Sequence, residues 1–149
     1  MEQILERLRG QVGTEIGVTD WMEITQDRVD AFAEGTDDHQ FIDVEAVRAS
    51  RTPFGGTIAH GFLTLSLTVP MSFAVELDVG EPKMAINYGL DRVRFPAPVR
   101  VGSNLRARVV LHAVSEVSGG VQVNRTVTME VEGTEKPAMV AETVTRYYY

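Results

Sequence analysis

The chain of 149 residues contains no cysteine, which excludes disulfides, thiolate metal ligands and a cysteine nucleophile by counting alone. Lysine is nearly as scarce: Lys83 and Lys136 are the only two, and 21 acids against 14 basic residues leave a formal charge of −7. Affinity for nucleic-acid backbones depends on clustered Lys and Arg, so no nucleic-acid partner is expected. Long hydrophobic runs are missing as well. The longest apolar stretch, FLTLSLTVPMSFAVEL, is interrupted by Ser, Thr and Pro70 and is short of the ~20 residues a spanning helix needs. The N-terminal MEQILERLRGQVG carries acids where a secretory signal has an apolar centre. These absences point to a soluble cytoplasmic protein without a membrane partner. No repeat, low-complexity tract or linker divides the sequence, so residues 1–149 read as a single domain, of a size that buries roughly two thirds of its unfolded surface.

The first half has helical spacing. Ile4, Leu5 and Leu8 ahead of Gly10 predict a short amphipathic helix over Met1–Arg9, and TEIGVTDWMEI predicts a strand. TQDRVDAFAEGT reads as a helix capped by Thr25, with Asp27 in its first turn, Val29, Phe32 and Ala33 on one face and Gly35 at its end. A further short helix is expected over Val44–Ala49, then a turn at RTPFGG. From Thr57, a candidate cap, the chain is apolar nearly all round through Ile58, Ala59, Phe62, Leu63, Leu65, Leu67 and Val69. That pattern predicts a central helix buried on most sides, ended or kinked at Pro70.

The second half changes period. KMAINYGLDRVRFPAPV, SNLRARVVLHAVSEV, GVQVNRTVTMEVEG and PAMVAETVTRYYY are rich in Val, Thr and Tyr, with stretches of period-two alternation separated by turn residues. Four long antiparallel strands behind one buried helix make an α+β fold of the hot-dog type, a curved sheet wrapped about its helix. The terminal RYYY is expected at a sheet edge or a subunit contact. So small a sheet leaves an edge strand to cover, and pairing of two protomers into a homodimer is the expected solution.

Chemistry concentrates in TDDHQFIDV. Asp37, Asp38 and Asp43 crowd with His39 and Gln40, a costly density of like charge unless something is bound. Together FAEGTDDHQFIDV, GGTIAHGF, INYGLDRVRFPAPVRVG and AETVTRY, in order over nearly the whole chain, resemble the MaoC-like hydratases, in particular their small single-hot-dog members and the NodN-like branch. The resemblance implies a hydro-lyase of the (R)-specific enoyl-CoA hydratase or 3-hydroxyacyl-thioester dehydratase type. Its reaction would be reversible addition of water to trans-2-enoyl thioesters, its partner an acyl-CoA or acyl-carrier-protein thioester, and no cofactor or metal is implied. The family's loop has an aspartate, then a histidine five residues later, with an amide side chain between them. By position these fall on Asp38, Asp43 and Gln40. Asp43 therefore stands where the imidazole is usual, and Asp37 where a glycine is usual.

Hydration needs a base for the attacking water and a proton for C2 of the acyl chain, work suited to a group titrating near neutrality. Two carboxylates facing one pocket can do it by sharing a proton. Asp38 and Asp43 are accordingly the catalytic candidates; adjacent His39 reads as a supporting residue and Asp37 as a solvated loop acid. The resemblance further implies that N–H groups at the start of the central helix, Gly61 included, face the thioester carbonyl, where a helix N-terminus favours developing negative charge. The alternative for Gly61 is a tight helix-to-sheet contact, and for His60, a lone histidine on an apolar helix, a hydrogen-bonded core position. Asn87 and Tyr88 are implied at the pantetheine, and Arg94, with Arg92, at coenzyme phosphates or simply on an exposed sheet face. His112 has no assigned partner. Three readings stay open: a hydratase with a carboxylate pair, a thioester-binding protein that has lost hydration, and another reaction on the same scaffold.

Overall fold

The computed structural model describes residues 1–149. Helix α1 (Glu2–Arg9) buries Leu5 and Leu8, with Glu2 in its first turn and Arg7 and Arg9 in its last, the charge order its dipole favours. TEIGVTDWMEI forms two short strands rather than one, β1 (Glu15–Val18) and β2 (Met22–Glu23). Helix α2 (Gln26–Thr36) is capped by Thr25, whose side chain accepts from the Arg28 N–H at 3.2 Å. It does not stop at Gly35: it closes at Asp37, which adopts a left-handed φ of 58°. The single short helix expected next is two, α3 (Phe41–Val44) and α4 (Ala46–Ala49), broken where Glu45 leaves helical geometry at φ −111°, ψ 88°.

The central helix is also two pieces, α5 (Gly61–Ser66) and α6 (Thr68–Ala74), meeting at Leu67. It begins at Gly61, not Thr57, because the Thr57 hydroxyl is engaged by Gln26 and the N-cap position falls to His60. Pro70 neither ends nor strongly disrupts the helix, since it occupies the first turn of α6, where a missing N–H costs little. Leu63, Leu67 and Met71 face the core, but Phe62 and Phe73 are 69% and 67% exposed, so one face of the helix is open rather than buried on most sides.

The remaining strands are β3 (Met84–Arg94), β4 (Asn104–Val117), β5 (Gly120–Val131) and β6 (Met139–Tyr148). The antiparallel sheet runs β1-β4-β5-β6-β3, with β2 also paired to β4, and it holds the helix as a hot-dog fold requires. Strands β4 and β5 bury alternate residues. The register of β4 against β5 shifts between Leu111 and Ala113, so the exposed His112 occupies a bulge. Strand β6 lies between β5 and β3, so the terminal tyrosines are interior to the sheet; the short β1 and β2 lie at one edge and the long β3, exposed at every position but Val93, forms the other.

The core is in two parts. The larger joins Ile24, Val29, Leu63, Met71, Leu105 and Val127 with their neighbours beneath the central helix. The smaller seats Leu5 and Leu8 of α1 on Leu111, Val121, Val123 and Tyr147. Each fully buried Leu or Val stabilises the fold by about 1.5–3 kcal/mol before entropy is counted.

Candidate active site

Two segments distant in sequence are laced together beside the central helix. The Ile58 N–H donates to the Ile42 carbonyl at 3.0 Å. Gln26, the first residue of α2, donates from Nε2 to the Asp43 carbonyl at 2.8 Å, and its Oε1 accepts from the Thr57 hydroxyl at 2.6 Å. His60 Nε2 donates to the backbone carbonyl of Asp38 at 2.9 Å. The left-handed turn at Asp37, where both Asp37 and Asp38 N–H groups close on the Ala33 carbonyl, directs the chain from α2 toward this junction. Left-handed backbone costs glycine no steric penalty, so this position suits glycine better than aspartate.

These tethers bring Asp38, Asp43 and His60 to a common point, with one ligand atom from each lying within 4.8 Å of the others. His60 Nε2 stands 3.5 Å from Asp43 Oδ2 and 4.0 Å from Asp38 Oδ2. A carbonyl oxygen only accepts, so the Nε2 that faces Asp38 carries the imidazole proton. Nδ1 is buried without a partner, and the Phe32 ring lies 5.0 Å away, centroid to centroid. Asp43 is buried at 5% exposure, while the Asp38 side chain is half exposed. Burial pushes the Asp43 carboxyl up from the ordinary aspartate value; nearby His60 opposes the shift and Asp38 adds to it. The arrangement is an acid–base cluster in which one carboxyl is protected and its neighbour meets solvent. The same three groups are those that could hold a cation, though Nε2 would first have to release the Asp38 carbonyl.

The other candidates lie around this cluster in different ways. Gln40 is exposed at the start of α3 and forms no side-chain cap. His39 turns toward Glu34 and Asp37, at 3.5 and 3.8 Å, and Asp37 is fully exposed. Gly61 packs so closely on Phe95 that a Cβ there would sit 3.4 Å from three ring carbons. Helix geometry leaves its N–H without an intrahelical acceptor. Tyr88 lies under the Arg146 guanidinium at 3.4 Å from ring centroid to Cζ. Arg94 is exposed and donates to the neighbouring Val93 carbonyl at 2.8 Å, and Arg92 is exposed as well. Asn87 lines a cleft of about 260 Å³ between the central helix and the sheet, together with Leu65, Val69, Leu90, Thr143 and Thr145.

Two further residues belong to the description. Gln26 ties the loop to the helix start, and nothing in its sequence setting distinguishes it from an ordinary first-turn glutamine. Arg125 is 4% exposed and stands in the buried row Val121, Val123, Arg125, Val127, Met129 of β5. A charge breaking an apolar period-two row is a signal the sequence does carry.

The chain is similar to known proteins over nearly its whole length. A family profile described as MaoC like domain matches residues 8–135. The chain is 49% identical over 141 residues to the 3-hydroxyacyl-thioester dehydratase Z of Mycobacterium tuberculosis, covering 94% of this chain and 93% of that protein. It is 44% identical over 146 residues to Nodulation protein N of Rhizobium leguminosarum bv. viciae, covering 97% and 91%. Among solved structures, the R-hydratase PhaJ1 of Pseudomonas aeruginosa in its unliganded form superposes with a TM-score of 0.74 at 21% identity, over 92% of this chain and 81% of that one, a likeness of fold.

Proposed function

Since the chain belongs to the MaoC-like dehydratase family, we propose that it catalyses reversible, (R)-specific addition of water to trans-2-enoyl thioesters, equally read as dehydration of 3-hydroxyacyl thioesters. The observation that supports this most is the meeting of Asp38, Asp43 and His60 at the start of the central helix. In the hydration direction the half-exposed Asp38 carboxylate takes a proton from water as its oxygen bonds to C3. The C2–C3 π electrons move toward the thioester carbonyl, and the protonated Asp43 carboxyl delivers its proton to C2. Burial suits Asp43 to that second task, because it favours the neutral, donating form. Proton transfer between the two carboxyls then restores the starting state. His60 holds the Asp38 backbone through Nε2 and offers the same N–H to Asp43, so it is a positioning residue. The Gly61 N–H, at a helix N-terminus, faces the developing enolate oxygen.

In this reading the substrate is carried by coenzyme A or acyl carrier protein. Tyr88 lies along the pantetheine, Asn87 faces the acyl chain from the cleft, Gln40 flanks the loop and Arg94 meets phosphate, with no cofactor or metal taking part. No helix is long and apolar enough to cross a membrane, and the cytoplasm is the compartment in which such thioesters circulate. The protein acts as a homodimer paired through β3, whose outer edge bonds to no strand and which presents Met84, Ile86, Tyr88 and Leu90. Exposed Phe62 and Phe73 on the helix supply the apolar surface that such pairing would cover.

A hydration assay with crotonyl-CoA and longer enoyl thioesters tests the reading in the native protein, Asp38→Asn and Asp43→His. Native turnover that Asp38→Asn abolishes is expected. An inert native protein that gains turnover as Asp43→His would instead establish a thioester-binding protein without hydration. Binding of the thioester with no hydration in any form would point to a different reaction.

A further inference from the structure

The buried face of β5 alternates Val121, Val123, Arg125, Val127 and Met129, and the guanidinium in the middle of that row has no carboxylate partner. None of the ion pairs in the protein includes it. Its one hydrogen bond runs from Nη2 to the Tyr147 hydroxyl at 2.7 Å, and its buried Nε has no acceptor. A buried cation in a chain of net charge −7 ordinarily finds a carboxylate, and leaving it unpaired is costly. Glu76 and Asp78 line the adjoining cavity, yet Asp78 pairs with Arg7 and both acids are exposed.

Arg125 lines the inner end of the cleft along the central helix. There Thr68, Ser72, Asn87, Thr143, Thr145 and Tyr147 surround a space of about 30 Å³, which continues into the 260 Å³ cavity beside Leu65 and Leu90. Hydroxyls, an amide and one planar cation at the end of a partly apolar channel are what a carboxylate on an aliphatic chain requires. The larger cavity that Arg125 also lines, about 490 Å³, carries Glu76 and Asp78, whose charges disfavour a nucleotide or a coenzyme diphosphate.

We propose that Arg125 binds a carboxylate at the far end of the acyl chain, so that the preferred substrates are ω-carboxy acyl thioesters rather than methyl-ended ones. This rests on the hydratase reading for its reaction but not for its binding site. The carboxylate takes the N–H groups that Tyr147 leaves free and neutralises the cation, while the methylene chain lies against Leu65 and Val69.

Two measurements test it. The first compares kcat/KM for a length series of trans-2-enoyl-CoA thioesters ending in carboxylate, each against its methyl-ended counterpart. At the best-fitting length the carboxylate should gain about 10- to 100-fold, the worth of a charged hydrogen bond. Arg125→Met should lose that gain and Arg125→Lys should keep part of it. The second titrates the native protein with adipate and follows the Arg125 Nε–H resonance, which should shift and saturate, whereas hexanamide leaves it unmoved. Adipate binding at Arg125 without turnover of any thioester would sink the hydratase reading and leave the anion site standing. Turnover with no preference for the carboxylate at any length would overturn the assignment to the acyl end. An unmoved Arg125 resonance would overturn the anion site itself. If Arg125→Met fails to fold, Arg125→Lys and the native titration carry the test.

Discussion

Asp43 and Arg125 are the two side chains of full formal charge that the fold buries, and they are buried differently. Asp43 sits on a single turn of helix fixed by Gln26 and Ile58, opposite an imidazole N–H and a second carboxylate. Arg125 sits on a long interior strand among valines, opposite hydroxyls and open space. One charge faces an imidazole and a second carboxyl; the other has a single hydrogen bond to a hydroxyl and no counter-ion. Burial alone therefore does not define a role here. The partners do: proton donors and acceptors fit Asp43 to the proposed hydration, and the missing counter-ion fits Arg125 to the proposed anion.

That contrast can be broken by experiment. The largest effect is expected at the acid–base cluster: Asp38→Asn and Asp43→Asn should each lower hydration of crotonyl-CoA by about 10²- to 10⁴-fold, the range for loss of a general acid or base. Retention of turnover in both would remove Asp43 from the comparison. Next, Arg125→Met should stabilise the protein by about 1 kcal/mol or more in urea denaturation, since an apolar side chain would complete the row of valines. A clear loss of stability would show that the arginine is a structural element rather than a waiting cation. Gln26→Leu, which cuts both side-chain tethers between the loop and Thr57, should cost about 1–3 kcal/mol and should lower kcat more than it raises KM.

The acidity of Asp43 supplies a further test. Its carboxyl is raised in the folded state, so the native protein holds this proton more tightly than the unfolded chain does. The associated stability is fully present at acid pH and is lost as pH rises from about 4 through the folded-state value. Asp43→Asn should remove that slope, gaining on the native protein toward neutral pH in denaturation curves measured across the range. The smallest expected effect is at Asp37, where left-handed backbone favours glycine. Asp37→Gly should add up to about 1 kcal/mol, with little change in turnover.

Much of this was legible in the sequence because it depends on local spacing. The Thr25 cap, the alternation of β4 and β5 and the helix–sheet order follow from neighbours a few residues apart. Strand order does not: periodicity gave no sign that β6 would be interior and β3 a free edge. The apolar surround of the central helix predicts burial on most sides, whereas Phe62 and Phe73 leave one face open. The crowd of acids locates the loop, but His60 joins it from 17 residues beyond Asp43 through tethers made by Gln26, Ile58 and His60 itself. Arg125 was visible as an interruption in an alternating row; the missing counter-ion that makes it interesting is a property of three dimensions.

The placement of Arg125 has one more consequence. It divides the buried face of β5 so that Val121 and Val123 pack with α1 and Val127 and Met129 pack beneath the central helix. Leu5 and Leu8 of the N-terminal helix thus join four other buried residues in a small island of six. Amide exchange should find that island opening as a separate cooperative unit, with the protons of α1 exchanging before those of β4 and β5 near the central helix.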